Sequence, residues 1–516
     1  MTTSKHIYDQ ARPQAPPADR RRSVETAVAA ASVSLIALLT GLFIPFGPIT
    51  NTQVWIVMLS SLAVGLFVGW LTRSPWAMLL APLTYIIIFE LARSNGLAPT
   101  AGAIRLNNSY GLLALIMGRG FHGLVGLLPM ILGAGLGVFA VRYTSDEMGR
   151  SVGTVLKAVP LVIMGIVVLA LAVLNAVPAV TPPILDTNGQ PVPGSIAELT
   201  AVSLGGQEQT IMVRAHSPDL PVLLYLSGGP GQSDLPYSRV LFEELTQDFV
   251  VVSWDQRGTG KSYPALLPVE TLTLNQAVSD TIELTNYLRQ RFNEEKIYLM
   301  GESWGTTLGV LAVQQQPELF HAWIGSGQMV SQRETDRQLY REILALAART
   351  GDTELTEQML AFGEPPYADT PYPNAVVMAH YDALGQPYTP PQDYIERGTA
   401  ANLGPWGVMG SEYNLVEKVN VLRGLIDMFT VMYPQLQDID FRQDVPRLEV
   451  PVYILDGAAE LAARRDLALE WYNQLEAPGK RIYTFDNAGH SVAFEQFTAL
   501  HQILTGTILP ETYPYQ

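Results

Sequence analysis

The apolar residues of this 516-residue chain fall into two regimes. Over the first third they form long, almost uncharged runs, at residues 24–46, about 52–71, about 76–91, about 123–141 and about 155–177. About 20 consecutive apolar residues suffice for a helix to cross a bilayer. A cleaved leader would account for the first run alone, and the runs that follow favour a retained span. Residues 95–120 are mixed, with Arg105, Asn107 and Asn108, and read as a loop with a short amphipathic piece. The pattern predicts a disordered cytoplasmic tail over 1–23 and a membrane domain over 24–180 with about five transmembrane helices.

From residue 194 onward the runs are short. Residues 177–193 hold five prolines and read as a linker. Strand-like stretches follow at 199–204, 209–215, 221–226, 249–254, 297–300, 322–325, 451–455 and 481–485. The first two flank Gly205-Gly206 and predict a hairpin. The stretches at 221–226 and 249–254 are apolar throughout, as strands buried on both faces are. Residues 272–292 carry apolar positions at helical spacing, with Asn275 as a candidate cap. Strands alternating with helices imply a mostly parallel, doubly wound α/β sheet of eight strands. Residues 328–448 interrupt it. They are helical at first (334–349 and 353–362), then rich in Pro, Tyr and Gly, and predict a cap inserted between core segments 194–327 and 449–516.

Charge separates the same regions. Residues 1–180 carry a net +6 and the remainder −22. An acidic domain without a basic patch argues against a nucleic-acid partner. The absence of cysteine excludes disulfides and thiolate metal sites. Lys and Arg concentrate in the tail and in alternate inter-span segments, which predicts a cytoplasmic N-terminus and, with five spans, an extracytoplasmic second domain in a multi-pass membrane protein. An additional span involving residues 110–117 would reverse that side. Glu90, Arg93 and His122 lie at span edges, where snorkelling to the interface is expected.

The chemistry centres on Gly301-Glu302-Ser303-Trp304-Gly305, which reads G-x-S-x-G between an apolar strand and a small-residue helix. That context suits a nucleophile elbow. An activated Ser303 needs a base, an orienting acid and an oxyanion hole. His490 lies in the turn after the last strand and suits the base. His321 and His501 read as structural, and His380 lies in the expected cap. Glu460 follows the preceding strand and has the length to reach His490, with Asp456 as the alternative. Gly228 and Gly229, in a loop that follows a strand, and the Trp304 amide suit the oxyanion hole.

The set Ser227-Gly228-Gly229-Pro230-Gly231, Asp255-Gln256-Arg257-Gly258-Thr259-Gly260-Lys261-Ser262, G-E-S-W-G-T and a late Gly489-His490 resembles the proline iminopeptidase branch of the α/β-hydrolase superfamily. The resemblance spans roughly residues 194–508. It implies a serine peptidase that releases an N-terminal residue, often proline, from short peptides through an acyl-enzyme. It implies that the Asp255–Ser262 segment is architectural, and that cap carboxylates hold the substrate's α-ammonium. Glu412 and Glu334 are the cap candidates, and Glu302 is a further candidate beside the nucleophile. The family opens the oxyanion loop with His where this chain has Ser227. Its acid is normally Asp where this chain has Glu460. No metal or organic cofactor is called for. The expected partners are a small peptide or ester substrate and the lipid bilayer. An esterase or lipase with the same triad is the alternative, and a non-catalytic membrane receptor or transport component a more distant one.

Overall fold

The computed structural model describes residues 18–94, 96–106, 109–144 and 152–514. The chain divides into two compact units, Met1–Gly96 with Gly120–Val173, and Leu97–Arg119 with Leu174–Gln516.

The first unit is helical. Among the described residues, four helical stretches are long and apolar enough to cross a membrane, namely Arg20–Phe43, Asn51–Thr72, Ser109–Thr144 and Ala158–Ala176. A fifth, Ala77–Ala92, is apolar but shorter. Of the expected tail, residues 1–17 lie outside the described residues, whereas residues 18–23 are already helical, in Ala18–Phe43. Closing a helical turn satisfies their backbone groups, so the polar composition does not end the helix. Ser109–Thr144 also departs from expectation. It is helical throughout and absorbs residues read as a loop, with π-helical turns at Ile116–Gly120 and Gly123–Leu127. The core of this unit is built on small residues. A Cβ at Gly65 or Gly69 would stand 2.1 or 2.0 Å from backbone oxygens of residues 130 and 134. Gly133 and Gly137 meet residues 62 and 66 in the same way. Two glycines four apart on each helix thus let the backbones touch. Arg93 and His122 do not snorkel. Both are buried, Arg93 against Glu90 and the Pro45 carbonyl, His122 against the Tyr85 hydroxyl at 3.0 Å.

The second unit holds all eight expected strands in one sheet: β1 (Ile196–Leu204), β2 (Gln207–Ala215), β3 (Val222–Leu226), β4 (Val250–Asp255), β5 (Ile297–Glu302), β6 (Phe320–Ser326), β7 (Val452–Gly457) and β8 (Lys480–Phe485). Their order is β1-β2-β4-β3-β5-β6-β7-β8. β1 and β2 form the expected antiparallel hairpin about Gly205-Gly206, and β3 to β8 run parallel. β3, β4, β5 and β7 are buried at every position, as continuous apolar runs require. The helix after β4 is Leu274–Phe292, and its cap is Thr273, whose hydroxyl accepts from the Gln276 N–H, rather than Asn275.

Between β6 and β7 lie Gln332–Thr350, Thr353–Phe362, Pro371–Ala379, Gln392–Ala401 and Leu415–Met432, among shorter turns. The later half of this insertion is therefore helical too. In a parallel sheet the loops at the carboxyl ends of the strands gather on one edge, and there a doubly wound fold places its site.

Candidate active site

β5 delivers Ser303 at its carboxyl end with φ 52° and ψ −120°, a conformation that costs a non-glycine residue strain. Neighbours impose it. The Ser303 N–H donates to the Ser326 carbonyl at 3.0 Å. The Thr306 N–H and hydroxyl both donate to the Ser303 carbonyl, at 2.8 and 2.6 Å. The turn is possible because Gly305 has no Cβ, which would stand 2.2 Å from the Leu226 carbonyl oxygen. Trp304 opens the Trp304–Gln315 helix, whose first-turn N–H groups have no intrahelical acceptor.

His490 and Glu460 come together from the turns after β8 and β7, and His490 Nδ1 is hydrogen-bonded to Glu460 Oε2. The other carboxylate oxygen accepts from the Leu461 N–H at 2.7 Å and the Tyr381 hydroxyl at 3.1 Å, with Arg464 at 3.5 Å. Burial pushes the Glu460 carboxyl up, but His490, Arg464 and the Leu461 N–H outweigh it and hold the group down at about 2. Asp456 is placed otherwise. It forms a forked pair with Arg465 at 2.8–3.2 Å and accepts from the Thr484 hydroxyl at 2.9 Å. Of the two carboxylates weighed for the acid, Glu460 therefore meets the imidazole.

The loop after β3 lies against the elbow. A Cβ at Gly228 would be 3.3 Å from Ser303 Cβ. The loop is tied to the elbow helix by a relay in which Trp304 Nε1 donates to Gln256 at 2.8 Å and the Gln256 amide donates to the Ser227 carbonyl at 3.1 Å. The Gly228 N–H, however, is directed at Asp234. Asp234 also accepts from Tyr225 at 3.1 Å and Gln232 at 2.8 Å, yet burial raises it to about 6.

Glu302 is buried behind the elbow. Burial and then Asp234 push its carboxyl well above the usual range, Ser491 opposes this with a hydrogen bond, and Glu495 and Glu460 add to the rise. Its Oε2 has no hydrogen-bond partner among the described residues. Glu495, by contrast, is satisfied by the Tyr388 hydroxyl at 2.7 Å and the Gly489 N–H at 2.8 Å. Glu412 is fully buried in an ion pair with Arg239, and half-exposed Glu334 pairs with Arg337 at 2.9 Å. His321 packs between Tyr298 and Tyr513, His501 pairs with Asp248 at 2.8 Å, and His380 bonds the Val376 carbonyl.

The Asp255–Ser262 segment serves the fold. Arg257 forks onto buried Asp280, Asp255 accepts from the Lys261 N–H and the Tyr413 hydroxyl, and Ser262 accepts from the Thr210 N–H. Sequence reasoning missed Asp234, Glu495, Tyr381 and Arg464. Arg464 alone had a local signal, its position one helical turn after Glu460.

Comparison with known proteins agrees with this architecture. Residues 221–377 match the alpha/beta hydrolase fold family. Over 302 residues the chain is 30% identical to the probable aminopeptidase YbaC of Bacillus subtilis (strain 168), covering 58% of this chain and 93% of that one. Over 301 residues it is 25% identical to the proline iminopeptidase of Lactobacillus helveticus (strain DPC 4571), covering 55% and 88%. The crystal structure of a proline iminopeptidase-related protein from Thermus thermophilus covers 62% of this chain and 99% of its own, with 22% identity and a TM-score of 0.43. The fold and its loops define an α/β-hydrolase. Within that class the chain belongs to the proline iminopeptidase-like branch.

Proposed function

We propose that this protein is a membrane-anchored serine hydrolase, an aminopeptidase of proline iminopeptidase type that acts on short peptides. The observation that carries the reading is the His490–Glu460 hydrogen bond, formed by turns after β8 and β7 in a chain whose β5 ends in a strained serine elbow. Ser303 Oγ attacks the scissile carbonyl as His490 takes its proton. The Gly229 and Trp304 amides receive the oxyanion. His490 then protonates the leaving amine, and water releases the acyl group by the reverse sequence. Glu460 stays ionised, fixes the imidazole tautomer and stabilises the imidazolium.

A substrate α-ammonium needs a carboxyl not already neutralised. Among the described residues Glu412 and Glu302 each have one oxygen without a hydrogen-bond partner, but Glu412 is already paired with Arg239, whereas Glu302 lies among other carboxyls and stands to gain most from a cation. The pairing of Glu412 is also what favours the second reading, a carboxylic ester hydrolase with the same triad. Large exposed aliphatic side chains along the first unit's helices, such as Leu59, Leu80, Ile163 and Leu169, support contact with bilayer lipid. The Lys/Arg bias supports a cytoplasmic N-terminus and an extracytoplasmic hydrolase.

The test uses full-length protein in detergent. A fluorophosphonate probe labels the wild type, and Ser303→Ala abolishes labelling and lowers hydrolysis by at least about 10⁴-fold. Failure of folded wild type to label would overturn the serine mechanism. A panel of aminoacyl-naphthylamides and p-nitrophenyl esters decides the substrate class, and cleavage of esters alone would overturn the aminopeptidase reading.

A further inference from the structure

Leu97–Arg119 belongs with the hydrolase rather than with the helices it connects. Its anchor is Asp427, fully buried on the Leu415–Met432 helix. Asp427 Oδ1 accepts from the Thr100 N–H at 2.9 Å, and Oδ2 accepts from the Thr100 hydroxyl at 2.8 Å and the Tyr263 hydroxyl at 2.6 Å. One turn earlier on the helix, fully buried Arg423 donates from Nε to the Met117 carbonyl at 3.0 Å. The Tyr110 hydroxyl lies 3.2 Å from Thr430 Oγ1. The segment also closes on itself, since a Cβ at Gly118 would stand 1.8 Å from the Thr100 carbonyl oxygen.

The same helix bears on the loop after β3. A Cβ at Gly231 would stand 2.6 Å from the Gly424 carbonyl oxygen, and one at Gly424 would stand 2.8 Å from the Gly258 carbonyl oxygen. Backbone rests on backbone there, so a shift of the helix has no soft side chain to absorb it. A buried carboxylate is a costly way to gain stability. Here its three donated bonds come from two remote stretches, at Thr100 and Tyr263, which fixes where the helix sits.

We propose that Leu97–Arg119 is a built-in positioning element of the hydrolase. Docked through Thr100, Asp427 and Tyr263, it holds the Leu415–Met432 helix, and that helix sets residues 228–231 at the distance an oxyanion requires. The inference rests on the reading of that loop as part of the oxyanion hole. It makes a hydrolase begun at residue 194 incomplete, because the element lies upstream and includes the start of the Ser109–Thr144 helix.

The test compares full-length wild type, Asp427→Asn and the milder Thr100→Val in lipid nanodiscs. Hydrogen exchange is followed over residues 225–234, and kcat and KM on the best naphthylamide or ester. The expected result is at least about tenfold faster exchange at residues 228–232 with unchanged protection of β5 and β6. A kcat lower by about tenfold should accompany it, a fraction of the ~10²–10³-fold that loss of a whole oxyanion donor costs. KM should stay within about twofold. A purely structural role would instead lower the yield of folded protein and leave kcat per labelled serine intact. Unchanged exchange at residues 228–232 in both variants would overturn the proposal. Faster exchange with unchanged kcat would overturn the catalytic role of the loop while leaving the docking intact. The exchange readout does not depend on any substrate, so it separates failure of the positioning element from failure of the peptidase reading.

Discussion

Two buried glutamates flank the elbow, and their surroundings are opposite. Glu460 faces an imidazole, a guanidinium, a phenol and an N–H, and is held down at about 2. Glu302 faces Asp234, Glu495 and Glu460 itself, and is pushed well above the usual carboxylate range. Burial is nearly the same for both and pushes both up; only at Glu460 do the partners reverse it. One glutamate is held in its anionic form by its neighbours. The other has a carboxyl whose charged form its surroundings disfavour.

The sharpest way to break this contrast is Glu460→Gln. It keeps the shape but removes the charge that fixes the tautomer, and kcat should fall by about 10⁴-fold with KM little changed. Steady-state kinetics with active-site titration checks it, and a loss below tenfold would mean that another acid serves His490.

Glu302→Gln should act on binding and stability. With a free-amine substrate KM rises by about tenfold, while an ester without an amine is unaffected. The pH dependence has a definite sign. A carboxyl raised in the folded state stabilises most below its unfolded value, 4.5, and that contribution is lost as pH rises. Glu302→Gln should therefore raise Tm at pH 8 and lose this advantage near pH 4.5. Glu460 runs the other way, contributing above pH 4.5 and losing that contribution as pH falls towards 2. Thermal unfolding of the two Gln variants from about pH 2.5 to pH 8 should give slopes of opposite sign relative to wild type, that of Glu302→Gln above pH 4.5 and that of Glu460→Gln below it. Parallel slopes would show that the two environments are alike.

The smallest effect belongs to Asp456→Asn. It loses the fork to Arg465, costing about 1 kcal/mol of stability, but kcat should stay within about threefold of wild type. A large fall in kcat would return Asp456 to the triad.

The central strands β3 to β7 were legible as short apolar runs bounded by turn residues, the β1–β2 hairpin from its Gly205-Gly206 turn, and Ser303, His490 and Glu460 because each follows a strand. What stayed hidden lacked a local signature. Thr273 and Asn275 are both good caps two residues apart, and only the tertiary path selects Thr273. The Leu415–Met432 helix falls in the stretch read as rich in Pro, Tyr and Gly, and its two central charges, Arg423 and Asp427, are fully buried. Their partners lie about 300 residues away in sequence, at Met117 and Thr100. No window along the chain contains both ends. The same holds for Glu302, whose environment is made by Asp234, Glu460 and Glu495 from three separate loops.

The Thr100–Asp427 contact also sets a clock. The two residues are 327 positions apart. At about 5–20 residues per second of synthesis, Thr100 leaves the ribosome roughly 15–65 s before its acceptor exists. The sheet strands up to β6, the elbow and most of the cap are all made in that interval. One of the earliest segments translated thus stays without its acceptor until the Leu415–Met432 helix has been made.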